Sequence, residues 1–265
     1  MTATIAAALL MTIAGQGEQA APDRALTPVE QLRVELGLPI AEVQDDAAMD
    51  SDASTEIIRL AGDPDVMPEL VNGYQWKLGD MFIETALPEG YPRPTPPECI
   101  EIKHYPSVRR AEVSGTEMRG ASNRGFMPLF RHISSNDIAM TSPVEMDLPG
   151  WSAVEDTDPE SWTMSFLYRT RELRETGTEG RVVIRDTEPV TVIAIGLQGV
   201  YTEGRFEPYL ERLETFLAES DEWEADGDPR WFGYNGPMTF PSLRWGEVQI
   251  PVKRTQPDEQ GDAQG

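Results

Sequence analysis

The sequence predicts an α+β fold in which a ββαββ unit is used twice. Three observations lead there. Between Cys99 and Val252, apolar and polar residues alternate with a period of two in a series of short stretches, the mark of half-buried strands. Two longer stretches instead repeat their apolar residues at helical spacing, and each stands between two pairs of strands. The span is long enough to bury a core of its own. Two such halves can bring their strands together as a barrel-like core with the helices packed outside. The chain has 265 residues and a hydrophobic fraction of 39%, low for a wholly globular chain, so part of it is expected to stay outside that core.

Met1 to Gly17 is apolar and uncharged, and too short for a membrane span of ~20 residues. It reads as the apolar region of an export signal, although no Lys or Arg precedes it and no Ala-x-Ala site follows. An apolar N-terminus of a cytoplasmic protein is the other reading. Thr27-Pro28-Val29-Glu30 is a helix start, with Thr27 as cap and Pro28 at the first helical position, and the short helix runs near 28–36. Ser54 to Leu60 reads as a further helical turn or two. Residues 18–98 are acidic and crowded with proline towards their end, which favours extended, solvated backbone. They read as a leader and linker, with Trp76, Met81 and Phe82 as the points of contact with the domain.

From Cys99 the pattern changes. Ile100, Ile102 and His104 alternate with Glu101, Lys103 and Tyr105 as a first strand, and Val108 to Thr116 follows as a second. Phe126, Leu129, Phe130 and Ile133 give a helix, which Pro128 places at a start near Gly125, because proline is tolerated in a first turn. Ile138 to Met146 is the third strand, and Trp162, Met164, Phe166 and Tyr168 lie on the fourth. The order then recurs: Arg181 to Asp186 and Val190 to Leu197, a helix carrying Phe206, Leu210, Leu213 and Leu217, then Arg230 to Tyr234 and Trp245 to Val252. Residues 253–265 read as a polar, disordered tail.

Composition narrows the function. A net charge of -24 disfavours nucleic acid and anionic membrane surfaces as partners. One cysteine, Cys99, excludes an intramolecular disulfide, and one Cys with two His does not make a structural zinc site. The nucleotide-binding, zinc-protease and nucleophile-elbow motifs are absent. Cys99 and His104 are an odd number of positions apart on one strand and face opposite ways, so they form no Cys-His pair within it. His104 shares a face with Ile100 and Ile102, where a neutral imidazole can ligate a haem iron or donate to a carbonyl as part of the core. Met127, Phe130 and Arg131 offer an apolar and basic wall of the kind a flat macrocycle with carboxylate arms needs; core packing and a solvated arginine are the alternative.

Four stretches together resemble the SOUL haem-binding protein family. Ile100-Glu101-Ile102-Lys103-His104-Tyr105-Pro106 is similar to its opening strand. Gly125 to Ile133 resembles its first helix, followed by a loop with Asn136. Ile138-Ala139-Met140-Thr141-Ser142-Pro143-Val144 follows its "IxMTxPV" strand, and Gly233 to Met238 with Leu243 to Val248 resembles its ending. The match spans residues 99–252. It implies a duplicated ββαββ unit closed into a distorted antiparallel barrel with two flanking helices. It also implies a non-enzymatic carrier or buffer that binds haem or another porphyrin without a covalent bond, in an apolar groove beside the first helix. The resemblance assigns His104 as an axial ligand of the haem iron and Met127, Phe130 and Arg131 to the groove. Asn123, Thr239, Trp245 and Gly246 depart from residues found in some or most members, three of them basic. The same architecture resembles the effector-binding domains of bacterial regulators, so a stand-alone small-ligand or partner-binding module without haem is the alternative. A tetrapyrrole-modifying enzyme is a third class, for which the sequence offers no catalytic constellation.

Overall fold

The structure, a computed structural model, describes residues 57–255. The apolar N-terminal stretch, the helix near 28–36 and most of the C-terminal tail lie outside these residues. Ahead of the domain come β1 (Ile58–Ala61), β2 (Glu69–Val71), β3 (Gln75–Leu78) and β4 (Met81–Ile83). The first repeat holds β5 (Ile100–Tyr105), β6 (Arg109–Gly115), α1 (Ala121–Ser135), β7 (Val144–Asp147) and β8 (Trp162–Leu167). A hairpin strand, β9 (Gly177–Glu179), leads to the second repeat: β10 (Val182–Asp186), β11 (Val190–Gln198), α2 (Glu203–Ala218), β12 (Trp223–Ala225), β13 (Arg230–Gly233) and β14 (Trp245–Arg254). The result is α+β, with one large antiparallel sheet and two helices.

The hydrogen-bonded order of that sheet is β1-β5-β11-β14-β13-β7-β8-β6-β10-β9, with β12 pairing β14, and β2-β3-β4 form a small sheet apart. The order is symmetric about the β13–β7 seam, and each repeat's first strand pairs with the second strand of the other. β5 with β6, and β10 with β11, form one two-stranded ribbon of constant register. Ile100 faces Ile195, Tyr105 faces Val190, Arg109 faces Asp186 and Glu112 faces Val183. At its centre Pro106 and Pro189 lack the N–H a ladder needs, and Val108 and Thr187 hold the corner through two hydrogen bonds.

The closed barrel implied by the sequence is not formed. The path is open and ends on β1 and β9, because β1 takes the free edge of β5 and β9 that of β10. Other local differences have local causes. Residues 58–61 extend as an edge strand instead of turning as a helix, paired to β5. α1 begins at Ala121, a turn before Gly125, and carries Pro128 in its interior. An interior proline costs roughly 3 kcal/mol, and burial of Leu129, Phe130 and Ile133 offsets it. The same device recurs in α2, where Phe206-x-Pro208 repeats Phe126-x-Pro128. Gly125 lets α1 lie close on β8: a side chain there would meet Met164 Cβ at 2.8 Å. The third strand pairs only from Val144, since Pro143 cannot donate and Ser142 N–H donates to Ala86 O (3.0 Å) outside the sheet. β14 runs two residues past Val252 to pair β12.

Both helices pack on one face of the sheet, over Ile102, Val113, Met164, Ile193 and Val248. The other face is not open to water, so β5 is buried on both sides. Met81, Ile83 and Leu87 join Tyr105, Val192, Phe232 and Trp245 there in a second cluster. Charged residues fill the rest in pairs. Glu101 is held by Arg59 (2.8 Å) and Arg93 (2.7 Å). Lys103 and Glu247, each fully buried, meet at 2.9 Å, and Glu247 also accepts from Thr95 N–H (2.6 Å), Tyr234 Oη (2.7 Å) and Gln249 Nε2 (2.7 Å).

Burial by itself would raise the Glu247 carboxyl, but the Lys103 ammonium and these donors outweigh it and hold the group below the usual carboxylate range. Its folded value is therefore depressed. The stability it contributes is present above the ordinary carboxylate value and lost as pH falls through the folded one. Lys103→Met, which strands the carboxylate, is expected to lower the unfolding free energy by about 3–5 kcal/mol in a urea titration. Glu247→Gln is expected to flatten the acid limb of stability against pH; a limb as steep as that of wild type would remove Glu247 from this role.

Candidate functional site

The described residues contain a cavity of about 300 Å³ over the β13–β7 seam, where Gly233 faces Val144 and Trp231 faces Met146. Each repeat supplies one wall. From the first, α1 presents Phe126 and Phe130, and Met140, Val144 and Met164 continue the apolar surface. The two phenyl rings stack with centroids 5.7 Å apart, and Phe166 meets Phe126 edge-on at 5.2 Å. From the second repeat come Tyr201 and Trp231, stacked at 5.8 Å, with Phe206 beneath Trp231 at 4.8 Å. The segment from Gly233 to Thr239 and Arg244 form the rim, and Glu84 and Thr85 close it from the segment ahead of β5.

Gly233 is required by close approach: a side chain there would stand 3.0 Å from the Tyr201 ring and 3.2 Å from Trp231. The run Met140 to Val144 reaches the cavity because it leaves the sheet. Ser142 Oγ lies 2.7 Å from Tyr234 O and 2.5 Å from Thr85 Oγ1, which ties three segments of the wall together.

The polar groups of the lining are mostly engaged. Tyr201 Oη donates to Trp245 O (2.6 Å) and accepts from Asn235 N–H (3.0 Å). Tyr234 Oη donates to Glu247. Burial holds both phenols above their ordinary value, so both are neutral. Arg244 donates from Nε to Thr239 O (2.9 Å) and from Nη2 to Pro237 O (2.7 Å), with its guanidinium 5.8 Å from the Tyr201 ring centre. Glu84 and Arg244 are the charged residues of the lining. The arrangement suits a flat apolar molecule with few polar arms. It contains no nucleophile paired with a base.

Of the residues singled out from the sequence, Phe130 lines this cavity. His104 stands apart from it, exposed near the end of β5, with Nδ1 2.7 Å from Thr191 Oγ1. Met127 is half-buried and Arg131 exposed on α1, and neither belongs to the lining. Met140, Tyr201, Trp231 and Arg244 were not singled out. Met140, Trp231 and Arg244 sat in plain strand or motif stretches, and only the fold brings them to α1.

His132 is buried behind α1. Its Nε2 meets Tyr168 Oη at 2.7 Å and its Nδ1 meets Glu179 at 3.0 Å, which fastens the helix to β8's end and to β9. Desolvation, with Arg174 nearby, lowers its pKa below the ordinary histidine value. A depressed imidazole disfavours the folded state once protonated, so stability falls as pH drops through the ordinary value. With two histidines in the chain, an NMR titration is simple to assign using His104→Ala. The remaining imidazole is expected to titrate below ~6.5; a midpoint above it would contradict the buried geometry.

Among the described residues, no cluster of His, Cys, Asp and Glu is placed to hold a metal ion, and no helix is long and apolar enough to cross a membrane. A family model described as SOUL heme-binding protein matches residues 93–251. No curated protein matches the chain. Among solved structures, the EcmrR C-terminal domain aligns with a TM-score of 0.48 and 11% identity, over 59% of this chain and 98% of that one. EcmrR from a DNA complex aligns at 0.49 and 11%, over 59% and 57%. A hydrolase from Listeria innocua aligns at 0.42 and 12%, over 61% and 94%.

Proposed function

The chain belongs to the SOUL heme-binding protein family, and from that premise we propose that it is a non-enzymatic carrier or buffer that holds a tetrapyrrole non-covalently in the cavity over the β13–β7 seam. The observation that carries this reading is the pair of aromatic walls, Phe126 with Phe130 and Tyr201 with Trp231, bordering one apolar space. Stacked and edge-on aromatic contacts favour a planar conjugated guest beyond the area they bury. Arg244 is the cation on the rim and would meet a carboxylate arm.

The residues fit the macrocycle better than they fit an iron. A bound haem would supply an iron with open axial positions. The lining offers the thioethers of Met140, Met164 and Met238 and two phenols that already donate elsewhere; it includes no histidine. This favours a second reading, in which the guest is a metal-free planar amphiphile and the protein senses or stores it. In both readings the chain's own residues bind, orient and shield the guest from water.

Titration of the full chain with hemin and with metal-free protoporphyrin separates the two. Saturable binding of both, with quenching of tryptophan fluorescence, is expected of the carrier, and binding of protoporphyrin but not hemin of the second reading. Val144→Phe, which fills the space beneath α1, should weaken both at least about tenfold. His104→Ala should leave affinity and the absorption band unchanged. Loss of the band in that variant would place the iron at His104 and overturn the site proposed here, and the absence of saturable binding by either macrocycle would overturn the function.

A further inference from the structure

The mouth of the cavity is built largely from two stretches in which this acidic chain drops its acids. Residues 118–136 and 229–246 contain no Asp or Glu, although the chain carries 46 of them, and no other stretch of the sequence runs as long without one. The first supplies Ser122, Asn123, Phe126 and Phe130 to the lining, and the second supplies the segment from Gly233 to Thr239 and Arg244. Three arginines stand on the first stretch. Arg119 and Arg131 are exposed, and Arg124 pairs with Glu117 (2.6 Å). Met127 and Arg131 follow Phe126 and Phe130 by one residue, so they lie on the stripe of α1 next to the lining.

The second stretch carries an apolar tip. Phe240 is 75% exposed and Met238 61%, and Pro237 and Pro241 beside them are exposed too. Phe240 belongs to neither core cluster. The loop that presents it is held from within. Leu243 N–H donates to Phe240 O (2.8 Å) and Thr239 N–H to Gly236 O (3.2 Å), while Arg244 holds the Thr239 and Pro237 carbonyls. Gly199 N–H donates to Arg244 O (2.9 Å), which sets the exposed Val200 beside the same loop. A held loop that keeps a phenyl ring in water serves no packing need of the fold. Clustered exposed apolar groups with a polar border mark an interaction surface.

Resting on the reading of this cavity as a macrocycle site, we propose that its mouth docks on the surface of a bilayer containing anionic lipid, where the guest is collected or delivered. Phe240, Met238 and Val200 enter the boundary between headgroups and acyl chains, and Arg119 and Arg131 meet lipid phosphates. A planar amphiphile partitions to the same boundary, so docking there brings the mouth to its guest. The net charge of -24 opposes approach to such a surface, yet exposed charges more than ~10 Å away are largely screened at about 0.1 M salt. The groups at the contact therefore decide it, and on the two acid-free stretches these are apolar, neutral or cationic.

The test mixes the full chain with vesicles of phosphatidylcholine alone and of phosphatidylcholine with about one-third phosphatidylglycerol, and measures co-sedimentation. Binding to the mixed vesicles is expected. Phe240→Ser should weaken it about tenfold, and Arg119→Gln with Arg131→Gln by a similar factor. None of these side chains lines the cavity, so hemin in solution should bind each variant within about two-fold of wild type. No binding of wild type to the mixed vesicles, or unchanged binding by Phe240→Ser, would overturn the lipid surface and leave the macrocycle site standing. Dimerisation of wild type without lipid that Phe240→Ser abolishes, measured by sedimentation equilibrium, would assign the face to a second copy and also overturn it. Vesicle binding with no saturable binding of hemin or protoporphyrin would overturn the cavity reading and the collection of a guest, and leave the docking surface.

Discussion

The buried carboxylate of Glu247 is the point on which the architecture turns. It sits in β14, between β11 and β13, and draws together Lys103 of β5, the Thr95 backbone, Tyr234 beside the cavity and Gln249. It is one of a row. Cross-strand register places Glu112, Ser165, Glu145, Phe232 and Glu247 side by side on neighbouring strands, on the face away from the helices. Glu112 is matched by Arg110 and Arg185, Glu145 by Arg230 and Arg110. An ion left unpaired in such a place costs several kcal/mol, roughly 3–5 when one partner is removed. The pairs therefore restrict the sheet to the one register that satisfies them all. Such pairing also explains why the segment ahead of β5 is part of the fold: it brings Arg59 and Arg93 to Glu101 and the Thr95 N–H to Glu247.

That arrangement also explains what the sequence could and could not disclose. The α+β class, the two helices and the duplicated order were legible, because periods of two and of 3.6 survive in Ile100-x-Ile102, in Trp162-x-Met164-x-Phe166 and in Phe206, Leu210 and Leu213. Glu101 and Lys103 were misleading for the same reason. A charged residue at alternate positions implies a solvated face, and here each has a distant partner that no local pattern reveals. The stretch before Cys99 read as a linker touching the domain at Trp76, Met81 and Phe82; Trp76 and Met81 do pack on that face, and Ile83 and Leu87 join them to cover it. Proline misled in α1, where tertiary burial outweighed the local cost of Pro128.

The candidate site was less legible than the fold. Its walls come from residues far apart in the chain, and of the four residues the resemblance assigns to the ligand only Phe130 lines it. The two halves are not filled alike beside the seam. Phe126 and Phe130 border the open space, whereas Phe206, at the matching place in α2, is packed under Trp231 and Tyr201. A symmetric backbone thus carries an asymmetric cavity.

The constant register of the long ribbon, and the place of β14 beside β11 and β13, bear on how the chain reaches this state as it is made. β5 and β6 have one partner each early, in β1 and β8, but the ribbon must wait for residues 182–198. β14, which joins the ribbon to the seam, follows every other described strand in the chain. Non-local pairing of this kind is slow and exposes unpaired edges in the meantime. Until the second repeat is made, one edge of β5 and one of β6 therefore stay open.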